Sequence, residues 1–164
     1  MFDIPVDMPA DYQEHVCINA AAKHQNLPAD ILWAIRMHEA GQRGLVSAEN
    51  KDGSVDVGVM QINSIHFEEF QKKWRIPPSW LVHGNCISIY AGAYILKKEI
   101  NRAGDFWRGV GSYNSRTPSL NRVYQEKIKK QLRIFQSDRL GEIQRLYATK
   151  SGRHDSYKQH IDWR

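Results

Sequence analysis

The sequence has no long hydrophobic run and no positively charged start, and these absences exclude several classes of protein. Its longest apolar segments, such as residues 31–35, are far shorter than the roughly 20 residues that a membrane-spanning helix needs. Residues 1–7 have neither a basic start nor an apolar core, so no secretion signal is visible. We therefore expect a chain without a membrane span.

Cysteine is also scarce, because the chain has only Cys17 and Cys86. They do not form a Cys-x-x-Cys pair and have no neighbouring histidine pair, so a zinc site is not expected. Two interpretations remain open, namely two buried thiols or one disulfide. A disulfide would stabilise the fold by roughly 4 kcal/mol through the long loop that it closes, and it would indicate an oxidising compartment.

Several catalytic motifs are missing as well. There is no Gly-x-Ser-x-Gly elbow and no phosphate-binding loop, and His38-Glu39 lacks the second histidine of a zinc-protease helix. Residues 109–111 contain two glycines, but no strand-helix unit surrounds them, as a dinucleotide site would require. We expect neither a metal ion nor a cofactor.

The overall composition of the chain is typical of one folded domain. The chain has 164 residues, of which 41% are hydrophobic and 25% charged, with a net charge of +5. Residues 116–164 are basic, with 12 Lys/Arg against 5 Asp/Glu. We interpret this tail as a solvated helix face, the alternative being a surface for an acidic polymer or a membrane. No basic stripe with stacking aromatics occurs, so nucleic-acid binding is not expected.

Apolar spacing predicts a mainly helical chain. Pro28 followed by an apolar stripe predicts a helix over residues 29–39. The longest helix is predicted to start at a capping Asn85 and to stop at Gly104, with small residues at its middle that let neighbouring elements approach closely. Another helix is predicted over residues 121–135. The fold class is therefore mainly α, with one small β-hairpin.

Glu39 lies on the apolar face of the helix predicted over residues 29–39, in its last turn before Gly41. Partial burial and the negative end of the helix dipole both disfavour ionisation, so we expect the pKa of Glu39 to be raised. A glutamic acid that stays protonated near neutral pH can serve as a general acid.

The hairpin is predicted around Asp52-Gly53, because glycine takes the positive φ that a tight turn requires. This places Asp56 on the return strand. Gly58 would end that strand where a ligand approaches the backbone, and Gln61 and Asn63 would lie on an extended segment with both amides on one side.

A glutamate at a helix end and an aspartate on a hairpin strand are the pair expected for glycoside cleavage by two carboxylates. Plainer interpretations exist for each residue. Glu39 is also consistent with a surface charge, Asp56 with a turn-stabilising side chain, and Tyr113-Asn114 with a simple helix stop.

Three separated motifs, occurring in order, carry a resemblance to known families. Residues 50–64, with Glu39 before them, resemble the active-site hairpin of c-type lysozymes, and they also resemble the Gly-x-Met-Gln motif of family 1 (SLT-type) lytic transglycosylases. The other two transglycosylase motifs resemble residues 38–41 and 111–114. Residues 85–93, with Cys17, are similar to the specialised members encoded with secretion and pilus systems, above all type III secretion. The resemblance covers about residues 14–125.

The resemblance implies a lysozyme-like fold, with a transglycosylase domain at residues 1–135 and a basic, helical or flexible extension at 136–164. It implies that Glu39 acts first as acid and then as base, that Asp56 is a second carboxylate, and that Cys17 and Cys86 form a disulfide. The residues expected to line the glycan cleft are Asn50, Met60, Gln61, Asn63, Tyr113 and Asn114.

This sequence departs from both families. Ala40 stands where the transglycosylases usually have serine, so any hydrogen bond from that hydroxyl is lost. Asp56 is a second departure, because many transglycosylases use a single carboxylate. Against the c-type lysozymes, most of the cysteine framework is missing.

We therefore expect a periplasmic, monomeric lytic transglycosylase that cleaves the bond between N-acetylmuramic acid and N-acetylglucosamine, forming 1,6-anhydromuramic acid. The expected partners are peptidoglycan strands and a component of a secretion system, whose assembly would need a local opening in the wall. One alternative is a muramidase that uses the same residues for hydrolysis. The other is an inactive module that binds peptidoglycan.

Overall fold

The computed structural model describes residues 10–150, with side chains described for residues 13–139 and 141. A short 3₁₀ turn, Ser64–His66, precedes the third helix. The described chain is mainly helical with one small antiparallel sheet, which confirms the predicted fold class. Its elements are α1 (Ala10–Gln25), α2 (Ala29–Glu39), β1 (Asp56–Val57), β2 (Ile62–Asn63), α3 (Phe67–Trp74), α4 (Pro78–His83), α5 (Asn85–Ala103), α6 (Phe106–Asn114) and α7 (Pro118–Lys150).

The chain divides into two compact units within α7, the first ending at Leu132 and the second beginning at Arg133. The first unit contains α1 to α6, the sheet and the start of α7, and the described part of the second is helical. The functional boundary predicted after residue 135 stays a prediction, and residues 151–164 of the proposed extension lie outside the described residues. Over residues 10–150, no helix combines the length and the apolar character that a membrane crossing requires.

Helix α2 has the bounds that the sequence predicts. Pro28 occupies the N-cap position in an extended conformation, with φ −62° and ψ 125°, so it lies one residue before the first turn and not within it. Leu32 and Ile35 are fully buried on its core face. The helix ends because Ala40 takes a left-handed conformation, with φ +48°. Glu39 is consequently its last helical residue.

Helix α5 is the central helix of the first unit. Its residues Ile89, Ala93 and Leu96 are fully buried, and it packs against both α1 and α6. At the contact with α6, a Cβ on Gly109 would lie 2.3 Å from the Cα of Ile100, so only glycine allows this approach. At the middle of α5, a Cβ on Gly92 would lie 2.7 Å from the Cε atom of Met60 and 3.0 Å from the hydroxyl oxygen of Tyr113, so the close approach predicted there is found.

A disulfide joins Cys17 of α1 to Cys86 of α5. The two Cα atoms are 5.4 Å apart, within the usual range for such a bond. The structure thus decides between the two interpretations that the spacing left open, in favour of the pairing that the resemblance implies. The bond fixes α1 on the central helix.

The turn predicted at Asp52-Gly53 is found just before the small sheet, whose own two strands are joined by residues 58–61. Gly53 has φ +81° at the turn, and the N–H of Asn50 donates to the carbonyl of Ser54 across it. Asp56 follows this turn, as predicted, and lies on β1, where it pairs with Asn63 of β2 in antiparallel register. Across the Asp52-Gly53 turn the chain forms a single antiparallel bridge, between Val46 and Val57. The hairpin turn and the position of Asp56 are confirmed.

Candidate active site

A cleft of about 430 Å³ lies where the hairpin, α5 and α6 meet the end of α2. Both candidate carboxylates line it, together with four of the six residues predicted to contact the glycan and several residues that were not predicted from the sequence. The lining side chains are Glu39, Asp52, Asp56, Gln61, Ile62, Asn63, Ile65, His66, Ile95, Glu99, Ser112, Tyr113, Asn114, Ser115 and Arg116.

Glu39 is brought to this cleft by the way α2 ends. After Ala40 turns the chain, Gly41 packs directly on the turn between β1 and β2, where an added Cβ would lie 2.1 Å from the carbonyl oxygen of Gly58. Gly41 is therefore required by close packing, whereas the left-handed residue that ends the helix is Ala40. The consequence is that the last residue of α2 faces the hairpin that carries the second carboxylate.

The environment of Glu39 raises its pKa to about 7. Burial is the largest cause, since it penalises the charged form, and the nearby negative charge of Asp56 acts in the same direction. A hydrogen bond from the Tyr124 hydroxyl to Oε1, at 2.5 Å, and the charge of Lys127 both oppose the rise. The predicted direction is confirmed, and a large fraction of Glu39 is protonated at neutral pH.

Asp56 is held by two amide side chains. The Nδ2 group of Asn50 donates to its Oδ2 at 3.1 Å, and the Nδ2 group of Asn63 donates to its Oδ1 at 3.0 Å. Both carboxylate oxygens therefore accept a hydrogen bond, which fixes the plane of the carboxylate. Asn50 and Asn63 were predicted to bind substrate, and the structure assigns them a role in orienting Asp56.

Asn50, Asp56 and Asn63 also line a smaller cavity beside the main cleft, together with Asn114. Asn63 has a further contact, because its Oδ1 accepts the N–H of Ile65 and so begins the 3₁₀ turn. These asparagines therefore connect the fold of the hairpin with the position of the carboxylate. Direct contact of any of them with a glycan stays a prediction.

Gln61 does not lie on an extended segment, so that part of the prediction is wrong. Its φ is +49°, in the left-handed region, because it occupies the tight turn between β1 and β2. Its Nε2 group donates to the carbonyl of Gly58 at 3.0 Å. Gln61 nevertheless lines the cleft with Asn63.

Gly58 was expected to permit a ligand to approach the backbone, but in the structure another part of the chain occupies that position. The neighbour that comes close is the protein itself, since a Cβ on Gly58 would lie 2.2 Å from the carbonyl oxygen of Leu81 in α4. Gly58 also has φ +67°, which favours glycine independently of packing.

The prediction that the side chain of Met60 lines the glycan cleft is also wrong. Its side chain is fully buried in the core and is not among those that line the cleft. Its carbonyl accepts the hydroxyl of Tyr113 at 2.8 Å, and its N–H donates to Ser88 on α5. Met60 therefore anchors the hairpin turn and Tyr113 instead of contacting a substrate through its side chain.

Tyr113 and Asn114 are the last residues of α6, and both line the cleft as predicted. The ring of Tyr113 stacks on that of Tyr124, with centroids 6.4 Å apart and planes 21° from parallel. Tyr124 lies on α7 and is buried, at 3% exposure. No spacing signal indicated that its hydroxyl reaches Glu39, 85 positions earlier in the chain.

Comparisons with known proteins agree with this geometry. The family model described as "Transglycosylase SLT domain" matches residues 16–135. The chain is 38% identical to Invasion protein IagB of Salmonella typhimurium over 101 residues, which is 62% of either protein. It is 31% identical to Protein IpgF of Shigella flexneri over 101 residues, 62% of this chain and 66% of that protein. Identity to X polypeptide of Escherichia coli is 30% over 137 residues, 82% of this chain and 80% of that protein.

Proposed function

The chain belongs to the transglycosylase SLT family, and from this premise we propose that it is a lytic transglycosylase that cleaves peptidoglycan strands. The observation that carries the proposal is the state of Glu39, which lines a cleft opposite Asp56 with a pKa of about 7. An acid with this pKa can both give and take a proton at neutral pH. The chain spans 62% of the length of the IagB relatives, so its activity, substrate and partners are proposals.

The proposed reaction uses Glu39 twice. Its protonated carboxyl donates a proton to the oxygen that bridges muramic acid and N-acetylglucosamine, and the bond from that oxygen to the muramyl C1 breaks. The carboxylate of Asp56 stabilises the positive charge that develops on the sugar ring. Glu39 then removes the proton from the muramyl 6-hydroxyl, whose oxygen bonds to C1 and closes the 1,6-anhydro ring. Glu39 ends the cycle protonated, and no water is consumed.

The second candidate is a muramidase that uses the same two carboxylates. It is favoured by the two amides that orient Asp56, because a carboxylate held in a fixed plane is suited to act as nucleophile or as charge stabiliser. In that reaction water would complete the cleavage and leave a reducing muramic acid end. A third candidate, a module that binds peptidoglycan without cutting it, would not need a carboxyl with the raised pKa of Glu39.

We also propose a periplasmic location and a role beside a secretion system. The disulfide between Cys17 and Cys86 is typical of an oxidising compartment such as the bacterial periplasm. The relative from Salmonella typhimurium is named an invasion protein, which fits a wall-opening enzyme that serves a secretion machine. The partner within such a machine, and the monomeric state, stay predictions.

The test is the release of soluble muropeptides from purified peptidoglycan by wild type and by two variants. We expect Glu39→Gln to abolish release, and Asp56→Asn to lose about 2 to 4 kcal/mol of transition-state stabilisation, as is typical for one electrostatic stabiliser. Glu126→Gln is the matched control, since Glu126 is exposed, pairs with Lys129 and does not line the cleft.

Each outcome discriminates between the candidates. Release by wild type and by Glu126→Gln, but not by Glu39→Gln, supports an enzyme with Glu39 as its acid. Full activity in Asp56→Asn would remove the second carboxylate from the mechanism. Wild-type protein that sediments with peptidoglycan but releases nothing would favour the binding module.

A further inference from the structure

The charge in the cleft is unevenly distributed. Among the described residues that line it, Glu39, Asp52, Asp56 and Glu99 carry carboxyl groups, and Arg116 alone carries a permanent positive charge. His66 also lines the cleft, but burial lowers its pKa, so its ring is neutral at pH 7. A neutral sugar needs no positive charge, and the presence of Arg116 at this position therefore requires an explanation.

One partner of Arg116 is a buried carboxylate. The side chain of Glu99 is only 4% exposed, and its oxygens accept Nη2 of Arg116 at 2.6 Å and Nε of Arg116 at 3.2 Å. Nε of Arg102 donates to the same carboxylate at 2.8 Å. Burial opposes ionisation, but the hydrogen bonds from the two arginines lower the pKa of Glu99. Two guanidinium groups thus face one carboxylate, which leaves one positive charge in excess.

The excess charge is presented to the cleft by Arg116. Arg116 lines the cleft, as does Asn114 two residues before it, whereas Arg102 does not line it. The side chain of Arg116 is 61% exposed although two of its nitrogens are bonded to Glu99. Within the described part of the chain its hydrogen bonds use Nε and Nη2, so both N–H groups of Nη1 are available to an incoming acceptor. A guanidinium held in this way is well suited to bind a second carboxylate.

We propose that Arg116 is a specificity-determining residue that binds a carboxylate on the muramic acid branch of the glycan strand. The branch supplies such a group either as the lactyl carboxylate of a sugar without a peptide or as a carboxylate of the attached peptide stem. N-acetylglucosamine has neither. This inference rests on the proposed function, because it takes the cleft to be the peptidoglycan site.

The test measures affinities in a chain carrying Glu39→Gln, so that strands are not cut during titration. Three soluble ligands are compared: neutral oligomers of N-acetylglucosamine, peptidoglycan strands without stems, and strands with stems. With Arg116→Gln added, we expect the ratio of acidic-strand affinity to neutral-oligomer affinity to fall about tenfold, the effect of losing roughly 1.4 kcal/mol from a charge-assisted hydrogen bond. A fall for stem-bearing strands alone identifies a carboxylate of the stem, and a fall for stem-free strands alone identifies the lactyl carboxylate. A fall for both shows that Arg116 binds either carboxylate.

Arg102→Gln is the matched control, because it removes the same charge from the same partner, Glu99, but not from the cleft. We expect the affinity ratio to stay at its starting value in this variant, with thermal unfolding measured to show that both variants are folded. An unchanged ratio in Arg116→Gln, or an equal fall in Arg102→Gln, would overturn the inference while leaving the proposed function intact. Absence of binding to all three ligands before Arg116 is changed would overturn both.

Discussion

Glu39 has an environment that suits a carboxyl group which must exchange a proton near neutral pH. Burial at the end of α2 raises its pKa to about 7, and the Tyr124 hydroxyl, which donates to its carboxylate, limits that rise. Because the proposed reaction starts from the protonated form, we expect kcat/KM to fall as the pH rises through about 7. Burial and the opposing hydrogen bond from Tyr124 together set the pH at which the activity is expected to be lost.

We predict that Tyr124→Phe shifts the alkaline limb of the kcat/KM profile to higher pH. Phenylalanine removes the hydrogen bond that stabilises the ionised form of Glu39, so the pKa of Glu39 rises further and the acid persists to higher pH. The measurement is the pH dependence of muropeptide release for both proteins.

Tyr113→Phe provides the comparison for this shift. Its hydroxyl donates to the carbonyl of Met60 and not to Glu39, so its loss should leave the alkaline limb at the wild-type position. If the limb moved to lower pH in Tyr124→Phe, or moved equally in both variants, the hydrogen bond from Tyr124 would not be what limits the pKa of Glu39.

At the residue scale, the sequence allowed the two carboxylates to be predicted because each depends on local pattern. Glu39 follows from helical spacing and a stop signal, and Asp56 from a glycine turn. Tyr124 and Arg116 could not be found in this way. Each acts through a partner far along the chain, at Glu39 and Glu99, and no local spacing encodes such a contact.

At the scale of single elements, the bounds of α2 and the end of α5 at Gly104 were more predictable than the conformation of individual residues, whereas the helix predicted over residues 121–135 runs from Pro118 to Lys150. The bounds of α2 follow from Pro28 and an apolar stripe, but Asn85 does not cap α5 as predicted. Gly84 occupies the N-cap position, and the buried Oδ1 atom of Asn85 has no hydrogen-bond partner in the described structure. Caps and tight turns depend on the φ and ψ angles of one residue, and Gln61 is another example. The alternation of polar and apolar residues in a sequence does not predict these angles.

The contact between α5 and α6 carries a prediction of its own. In Gly109→Ala, the new Cβ would meet the Cα of Ile100 at 2.3 Å, and backbone cannot move aside as a flexible side chain can. We expect a loss of about 1 to 3 kcal/mol in the free energy of unfolding, the usual cost of overpacking. Urea denaturation followed by circular dichroism measures it.

Gly141→Ala is the matched helical control, because a Cβ there would meet no atom within 4 Å. Alanine is favoured over glycine in a helix interior by about 1 kcal/mol, so this variant should be as stable as wild type or more stable. Equal effects at the two positions would show that backbone propensity, and not packing against Ile100, determines the result.

At the scale of the whole molecule, the disulfide is the covalent link between distant parts of the chain. Cys17 and Cys86 are separated by 69 positions, for which loop-closure entropy corresponds to about 4 kcal/mol. We predict that a reducing agent lowers the free energy of unfolding of the wild type by about this amount, measured by urea denaturation with and without reductant.

A variant with both cysteines replaced by serine separates the bond from other effects of the reductant. It should show the lower stability in either condition, since it has no bond to reduce. If the reductant left the wild-type unfolding curve unchanged, the bond would contribute little to stability.

The cleft itself is a property of the whole first unit. It takes Glu39 from α2, Asp56 from the sheet and Tyr113 from α6, and Tyr124 of α7 completes the environment of Glu39. The sequence motifs supplied the members from the first three elements, because each motif is local. How these elements are brought together depends on the packing around α5, which no single motif contains.

The most direct test of the proposed function is digestion of purified peptidoglycan in water labelled with heavy oxygen, followed by mass spectrometry of the released muropeptides. The proposed transglycosylase uses the muramyl 6-hydroxyl to complete cleavage, so we predict anhydromuramic ends that lack the mass of one water and carry no label. Reducing muramic acid ends that carry the heavy oxygen as the only product would contradict it and would show that Glu39 and Asp56 perform hydrolysis.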